Sequence, residues 1–147
     1  MVHKLKEKSK IKKKRRRGIH KLDFPKGRGY STRIVVYVPS TKAQDIPVSR
    51  EEFKRRVQET VNYLSKTFGG VTNVKGEGYW IDEKGKTIGE KVVLVESFSP
   101  TRKYKEVDKK LGKWLKQKAR EWEQWGISFE FESPDKRSST LYFVKSK

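Results

Sequence analysis

Several carboxylates stand on or beside the predicted strands of this chain, where they could hold a metal ion. They are Asp82, Glu90, Glu96, Glu130 and Glu132. Two or more such groups that bind Mg²⁺ against a phosphate would support metal-dependent cleavage of a nucleic acid. Glu96 stands out because it lies inside the apolar run VVLVESF. No spaced nuclease motif accompanies these residues, so catalysis by Glu96, Glu90 and Asp82 with Mg²⁺ is the alternative hypothesis and not the main one.

The N-terminal segment, residues 1–30, is a basic arm. It carries 13 basic and 2 acidic side chains, which is a net charge of +11 out of +19 for the 147-residue chain. Its charges repel one another and it has few apolar residues, so we expect it to be disordered unless a partner orders it. Lys and Arg side chains that neutralise phosphates release condensed counterions, which favours binding of a polyanion. The residues expected to contact phosphates are Lys10, Lys12, Lys13, Lys14, Arg15, Arg16, Arg17, Lys21, Lys26 and Arg28.

A second basic surface is predicted on the amphipathic segment Lys103–Trp125. Lys109, Lys113 and Lys116 could extend the phosphate-binding track of the arm, although any surface helix has a charged outer face. Residues 31–147 carry a net charge of +8, so both parts of the chain would attract RNA or DNA. The alternatives for the arm are a solvated tail and a nuclear-localisation signal.

The composition excludes several kinds of site. The chain has no Cys, and its two His residues, His3 and His20, both lie in the arm. Disulfides, thiolate nucleophiles, Cys-ligated metals and a His-based dyad in the folded part are therefore excluded. We expect no cofactor. No apolar run is long enough to span a bilayer and no signal peptide is visible, so we expect a cytoplasmic protein without a membrane partner.

The folded part, residues 31–147, shows an alternation of strand and helix patterns. The sequence Ser49–Glu52 is a capping box, S-x-x-E, and predicts the start of a helix. Gly69 and Gly70 follow an apolar stripe at helical spacing and predict its end. That stripe consists of Phe53, Val57, Val61, Leu64 and Phe68. The other predicted elements are the strands Arg33–Val38, Val71–Asp82, Thr87–Phe98, Ile127–Phe131 and Leu141–Val144, and the helix Lys103–Trp125.

Aromatic residues occur at two places where they could contact a ligand. Tyr79 and Trp80 are adjacent in a predicted strand, so they point to opposite faces. We expect one to pack under the helices and the other to cover the open sheet face, rather than to stack on bases. Trp122 and Trp125, near the end of the second helix, are expected in the core.

The order of elements is β-α-β-β-α-β with one extra C-terminal strand. Two helices with one apolar stripe each cannot bury those stripes alone, and both can be buried on the same face of a sheet. This arrangement predicts an α+β, ferredoxin-like fold, in which two helices cover one face of an antiparallel-rich sheet.

The stretch from Phe68 to Phe98 resembles a pattern found in small uncharacterised proteins of phages, plasmids and archaeal mobile elements. The matching features are the FGG helix stop, the G-x-G-x-W-x-D strand in GEGYWID, a one-glycine turn, and the run EKVVLVE. The resemblance covers about residues 34–144 and implies a ferredoxin-like fold, but it brings no established activity. The basic arm lies outside it.

These observations predict a nucleic-acid-binding protein that is not an enzyme. The folded part would hold the arm along phosphates, without strong sequence specificity because no base-reading motif is visible. RNA is slightly favoured over DNA, and the ribosome is a possible partner, by analogy with the basic extensions of ribosomal proteins. The alternatives are the metal-dependent nuclease of mobile-element origin and an assembly or virion component that contacts a packaged genome. The sequence does not indicate an oligomeric state.

Overall fold

The computed structural model describes residues 30, 32–133 and 140–147. Residues 1–29 of the arm, which include its ten predicted phosphate-binding residues, lie outside these ranges. The described chain forms seven strands and two helices. In chain order they are β1 (Thr32–Pro39), β2 (Thr41–Lys42), β3 (Ile46–Pro47), α1 (Arg50–Phe68), β4 (Thr72–Ile81), β5 (Thr87–Ser99), α2 (Thr101–Glu121), β6 (Gly126–Glu132) and β7 (Thr140–Lys145).

Five strands form one sheet in the order β4-β5-β1-β6-β7, and all neighbouring pairs are antiparallel. The first four of these strands with the two helices make the ferredoxin-like arrangement, and β7 is the extra C-terminal strand. The α+β fold class predicted from the sequence is therefore confirmed. The short strands β2 and β3 form a separate hairpin between β1 and α1, where the sequence predicts neither a strand nor a helix.

The hydrophobic core lies between the helices and one face of the sheet, which we call the helix face. Side chains alternate between the two faces of a strand, so every second residue of β1, β5 and β6 points to the helices. The core residues from the sheet are Ile34, Val36, Val38, Val93, Val95, Ile127, Phe129 and Phe131, and those from the helices are Leu64, Leu111, Leu115, Ala119 and Trp122. Stacking of Tyr63 on Trp114, with ring centroids 4.3 Å apart, joins the two helices.

Helix α1 begins and ends where its sequence signals predict. The Ser49 hydroxyl accepts a hydrogen bond from the Glu52 amide at 3.1 Å. At the other end Gly69 has a φ of 104° and donates its amide to the Ser65 carbonyl at 2.8 Å. The buried face differs from the prediction, because two polar residues, Arg56 and Thr60, are buried within the apolar stripe.

Helix α2 ends four residues earlier than predicted. Trp122 is fully buried as its C-cap, and Glu123 then takes a left-handed φ of 52°. The chain turns away from the helix here, which leaves the Trp125 side chain 64% exposed. The prediction of Trp125 as a core residue was therefore wrong, whereas that of Trp122 is confirmed. Neither described helix combines the length and the apolar character that crossing a membrane needs.

Replacing Leu64 by alanine is expected to lower the free energy of unfolding by about 2–5 kcal/mol, because Leu64 is fully buried between α1 and the sheet. Urea denaturation followed by circular dichroism measures this change. The matched control is Ile81→Ala at the end of β4, where the side chain is 67% exposed and the expected change is within about 0.5 kcal/mol. Equal effects of the two substitutions would contradict the assignment of the core.

Candidate functional site

The face of the sheet opposite the helices, which we call the open face, carries a cavity of about 690 Å³ near the end of β1. We call it the Glu90 cleft. Its lining includes Tyr37, Gly78, Trp80, Glu90, Trp125 and Phe143. Ligand-binding cavities in proteins are typically of this size and combine apolar walls with a few polar groups.

The cleft exists because the sheet separates at its centre. Strand β1 pairs with β5 along its whole length, but it pairs with β6 only from Arg33 to Val36. Beyond that point β1 and β6 diverge, and the gap between them deepens the open face. On β4, Gly76 and Gly78 belong to the open face by register and present no side chains. The cleft thus has an uncrowded floor on the β4 side.

One wall of the cleft depends on a close approach between Gly126 and Phe143. A Cβ atom at Gly126 would lie 2.6 Å from Phe143 Cε1 and 2.7 Å from the Val144 carbonyl oxygen. Only glycine lets the Phe143 ring lie so near β6. Gly126 therefore makes room for this ring.

Glu90 lines the cleft and projects from β5 on the open face, opposite Gly78. Its Oε2 accepts a hydrogen bond of 2.6 Å from the hydroxyl of Thr41, which follows the end of β1. Burial raises the pKa of Glu90 above its ordinary value of 4.5, and the bond from Thr41 only partly opposes this shift. In the described part of the chain no salt bridge reaches Glu90. A carboxylate with a raised pKa in a cleft is a common mark of a functional site.

Glu96, by contrast, is committed to an ion-pair network on the same face. The Arg33 guanidinium donates to Glu96 at 3.0 Å and to Glu130 at 3.1 Å, and the Tyr37 hydroxyl donates to Glu130 at 2.8 Å. Burial, followed by the bond to Glu130, raises the pKa of Tyr37, so that hydroxyl stays a donor. This network holds β1, β5 and β6 together. It explains the carboxylate inside the run VVLVESF without any catalytic role.

The three carboxylates predicted as a nuclease site do not meet. Glu90 and Glu96 lie on one face of β5 but six residues apart, which is about 20 Å along an extended strand. Asp82 is in the β4–β5 turn, where its side chain accepts hydrogen bonds from the Lys84 and Lys86 amides at 2.9 and 2.8 Å. Among the described residues, no group of three His, Asp or Glu side chains could hold a metal ion.

The basic residues predicted on the second helix lie away from the cleft. Lys109, Lys113 and Lys116 are exposed on α2, which packs on the helix face of the sheet. Their neighbour Lys118 is used within the fold, since it bonds Glu59 and Glu121 at 3.0 and 2.8 Å. The helix therefore does not contribute a described basic residue to the cleft.

The adjacent aromatics of β4 point to opposite faces, as the strand pattern predicts. Trp80 lies on the open face, diagonal to Glu90 and half-buried in the cleft lining. Tyr79 does not pack under the helices, and that part of the prediction was wrong. Its ring lies over Gly89, where an added Cβ would approach the ring to 2.8 Å, and 66% of the side chain is exposed.

Comparison with known proteins finds a similar fold in two solved enzyme structures. No family model and no curated protein matches the chain. A phage SAM lyase in complex with S-methyl-5'-thioadenosine aligns with a TM-score of 0.55 and 13% sequence identity. A phage SAM lyase in the apo state aligns with a TM-score of 0.58 and 12% identity. Both alignments cover 84% of this chain and 96% of the other.

These neighbours correct the function predicted from the sequence. Both are enzymes, and this finding contradicts the prediction of a non-enzymatic nucleic-acid-binding protein. The prediction rested on the net charge, which describes the field around the whole molecule. The cleft that carries the distinctive carboxylate is instead lined mostly by uncharged and aromatic residues.

Sequence reasoning missed most of the residues around Glu90. Thr41 lies in a predicted loop, Phe143 in a predicted return strand, and Trp125 in a predicted helix. One signal was available. Glu90 is separated from GEGYWID by a single hairpin turn, so the sequence places Glu90 opposite the part of β4 that contains the two glycines. The partners from β1 and β7 are distant in sequence and gave no such signal.

Glutamine at position 90 is expected to stabilise the fold at pH 8 but not at pH 4. The raised pKa means that the folded state disfavours ionised Glu90, so its unfavourable contribution is absent below 4.5 and develops as the pH rises through that value. Urea denaturation of the wild type and of Glu90→Gln at both pH values measures the difference.

The matched control is Glu96→Gln, on the same face of the same strand. It weakens the bond to Arg33 and is expected to destabilise the fold by up to about 1 kcal/mol at pH 8. Destabilisation of similar size by both substitutions at pH 8 would show that Glu90 is a structural carboxylate like Glu96.

Proposed function

We propose that this chain is an enzyme that binds S-adenosylmethionine in the Glu90 cleft and breaks a carbon–sulfur bond of that substrate. The observation that carries the proposal is a carboxylate without an ion-pair partner among the described residues, set in an aromatic cleft of ligand size. The likeness in fold to the phage SAM lyases supports it.

The cleft suits an organic cation. Aromatic ring faces attract cations, and Tyr37, Trp80, Trp125 and Phe143 all line the cleft that contains Glu90. A cation beside Glu90 would also favour the ionised carboxylate and so offset the cost of its burial. S-adenosylmethionine combines a sulfonium cation with a flat purine base, so both its charge and its ring have matching surfaces in this cleft.

The reaction class needs no second substrate. When a carbon–sulfur bond of a sulfonium breaks, its electron pair moves to sulfur, and the cation becomes a neutral thioether. The carbon fragment gains its new bond either by losing a proton from the adjacent carbon or by attack of its own carboxylate. In both routes Glu90 would hold the cation in place, and in the first it could accept the proton, since a raised pKa suits a general base.

The purified protein is expected to convert S-adenosylmethionine to S-methyl-5'-thioadenosine, measured by liquid chromatography and mass spectrometry. Replacing Glu90 by glutamine should lower the rate by about 10²-fold or more, because the anionic oxygen and the base are both lost. The Glu96→Gln variant should keep the wild-type rate. Absence of thioadenosine formation by the wild type at any pH from 5 to 9 would reject the lyase reaction.

A binding measurement separates recognition of the substrate from the chemical step. Because burial raises the pKa of Glu90, the ionised form that attracts a cation is more populated at pH 8 than at pH 5. Calorimetry should therefore show tighter binding of S-adenosylmethionine at the higher pH, and this pH dependence should disappear in Glu90→Gln. S-methyl-5'-thioadenosine is uncharged at sulfur and serves as the control ligand. Its affinity should change little between the two pH values. Equal pH dependence for both ligands would contradict a cation site at Glu90.

A valine at Gly78 should block the cleft without disturbing the sheet. A Cβ there would lie 3.5 Å from Val92 Cγ1, which is ordinary contact, and β-branched residues are favourable in strands. The expected result is a raised KM with unchanged stability to urea. Asn73→Val, on the opposite face of β4, adds the same side chain away from the cleft and should leave KM unchanged. A normal KM for Gly78→Val would place the substrate elsewhere.

A further inference from the structure

Arg56 is a charged side chain that is buried in the core. It lies on α1 with its side chain 2% exposed, at a position where an apolar residue would continue the stripe between Phe53 and Leu64. Burying a guanidinium is costly unless every donor finds a partner. Apolar residues of similar volume often serve such positions equally well in other proteins.

The guanidinium of Arg56 joins three segments that are far apart in the chain. Its Nη1 donates to the carbonyl oxygens of Pro39 at 2.9 Å and Thr41 at 2.8 Å, and its Nη2 donates to the carbonyl oxygen of Trp122 at 3.2 Å. Its Nε donates to Glu52 at 3.1 Å, and the group lies over the Trp122 ring, 5.5 Å from the ring centroid. The planar fork of arginine can reach this set of acceptors, which a lysine ammonium cannot.

One of these carbonyls belongs to Thr41, the residue that bonds Glu90, and another belongs to Pro39, two residues before it. Thr41 begins β2, two residues after β1 and its pairing with β5 end at Pro39. Its backbone is held by Arg56 and by the side-chain amide of Gln124, which also donates to the Thr41 carbonyl. Its hydroxyl donates to Glu90 at 2.6 Å. A contiguous chain of bonds therefore runs from the helix layer to the cleft.

We propose that Arg56 is a positioning residue for the cleft: by fixing the backbone at Thr41 it aims the Thr41 hydroxyl at Glu90 and sets the orientation of that carboxylate toward the ligand. This inference rests on the proposed function, because it takes Glu90 as the group that meets the substrate. Arg56 does not line the cleft and touches no ligand in this scheme.

The charge of Arg56 acts in the same direction as its geometry. Burial of Glu90 raises its pKa, whereas the bond from Thr41, backbone hydrogen bonds from Ser40 and Thr41, and attraction to Arg56 lower it. The residue opposite Glu90 on β4 is Gly78, which brings no charge. The other titratable residues of the cleft lining are Tyr37, Lys75, Glu77, Tyr79, Asp82 and Glu83. Loss of the Arg56 bonds would thus let the pKa of Glu90 rise further.

The test compares Arg56→Lys with Arg55→Lys. Arg55 is the adjacent residue on α1 and also bonds Glu52, but its side chain is 51% exposed and reaches neither Thr41 nor Trp122. We expect Arg56→Lys to lower kcat/KM by roughly 10²-fold, which is the effect that a small misplacement of a reacting group has. The acidic limb of the kcat/KM profile should move to higher pH, because the interactions that lower the pKa of Glu90 are weakened. Arg55→Lys should leave both the size and the pH dependence of kcat/KM unchanged.

A second variant keeps the test valid if Arg56→Lys fails to fold. Thr41→Val removes the hydroxyl that bonds Glu90 and leaves the carbonyl that Arg56 holds. It should reproduce the upward shift of the acidic limb with little loss of stability to urea. A pH profile identical to the wild type in Thr41→Val, or in a folded Arg56→Lys, would overturn the proposal.

Titration of the Glu90 carboxyl carbon by NMR, assigned with Glu90→Gln, separates this inference from the proposed function. If the wild type turns over no substrate, the proposed function fails, while an upward shift of the Glu90 titration in Arg56→Lys and Thr41→Val but not in Arg55→Lys still supports the positioning role. If the wild type is active and these titrations coincide, the positioning role is overturned and the proposed function stands.

Discussion

Both helices pack on the same face of the sheet, and the rest of the molecule depends on that constraint. Side chains alternate along each strand, so the residues of β1, β5 and β6 divide into an apolar set under the helices and a second set on the open face. No helix or strand of the described residues covers the open face, which carries both the Arg33 network and the Glu90 cleft. The two-residue alternation of the strands thus places the apolar core on one face and the Glu90 cleft on the other.

Glu90 and Glu96 show how the surroundings of a side chain decide its role. They lie on the same face of β5, in one short stretch of sequence, and both are partly buried. Glu96 meets Arg33 at 3.0 Å and helps to join strands, whereas Glu90 accepts a hydrogen bond from the Thr41 hydroxyl, forms no salt bridge among the described residues, and keeps a raised pKa. A paired carboxylate contributes to the fold, and a carboxylate left without a cation in a cleft is available to a cationic ligand.

The segment after β1 connects the helix layer with the open face. Ala43 and Gln44 both have positive φ values, of 45° and 79°, which non-glycine residues rarely adopt. The turn is retained by the bond from the Ala43 amide to the Glu123 carbonyl at 2.9 Å, and by Arg56, which binds the backbone on both sides of Ser40. Strained backbone held from several sides is typical of sites that must keep one geometry.

The sequence by itself determined the helices, the main strands, the fold class and the capping of α1, because those depend on local periodicity and on glycine or Ser49–Glu52 signals. It also identified Glu90 as one of several candidate carboxylates, but it could not distinguish Glu90 from Glu96. That distinction depends on partners 49 residues away at Thr41 and 63 residues away at Arg33. Only the tertiary structure decided which carboxylate is paired, that Arg56 is buried, and that β1 and β6 part to form the cleft, because strand order and register bring distant residues together and leave no local pattern in the chain.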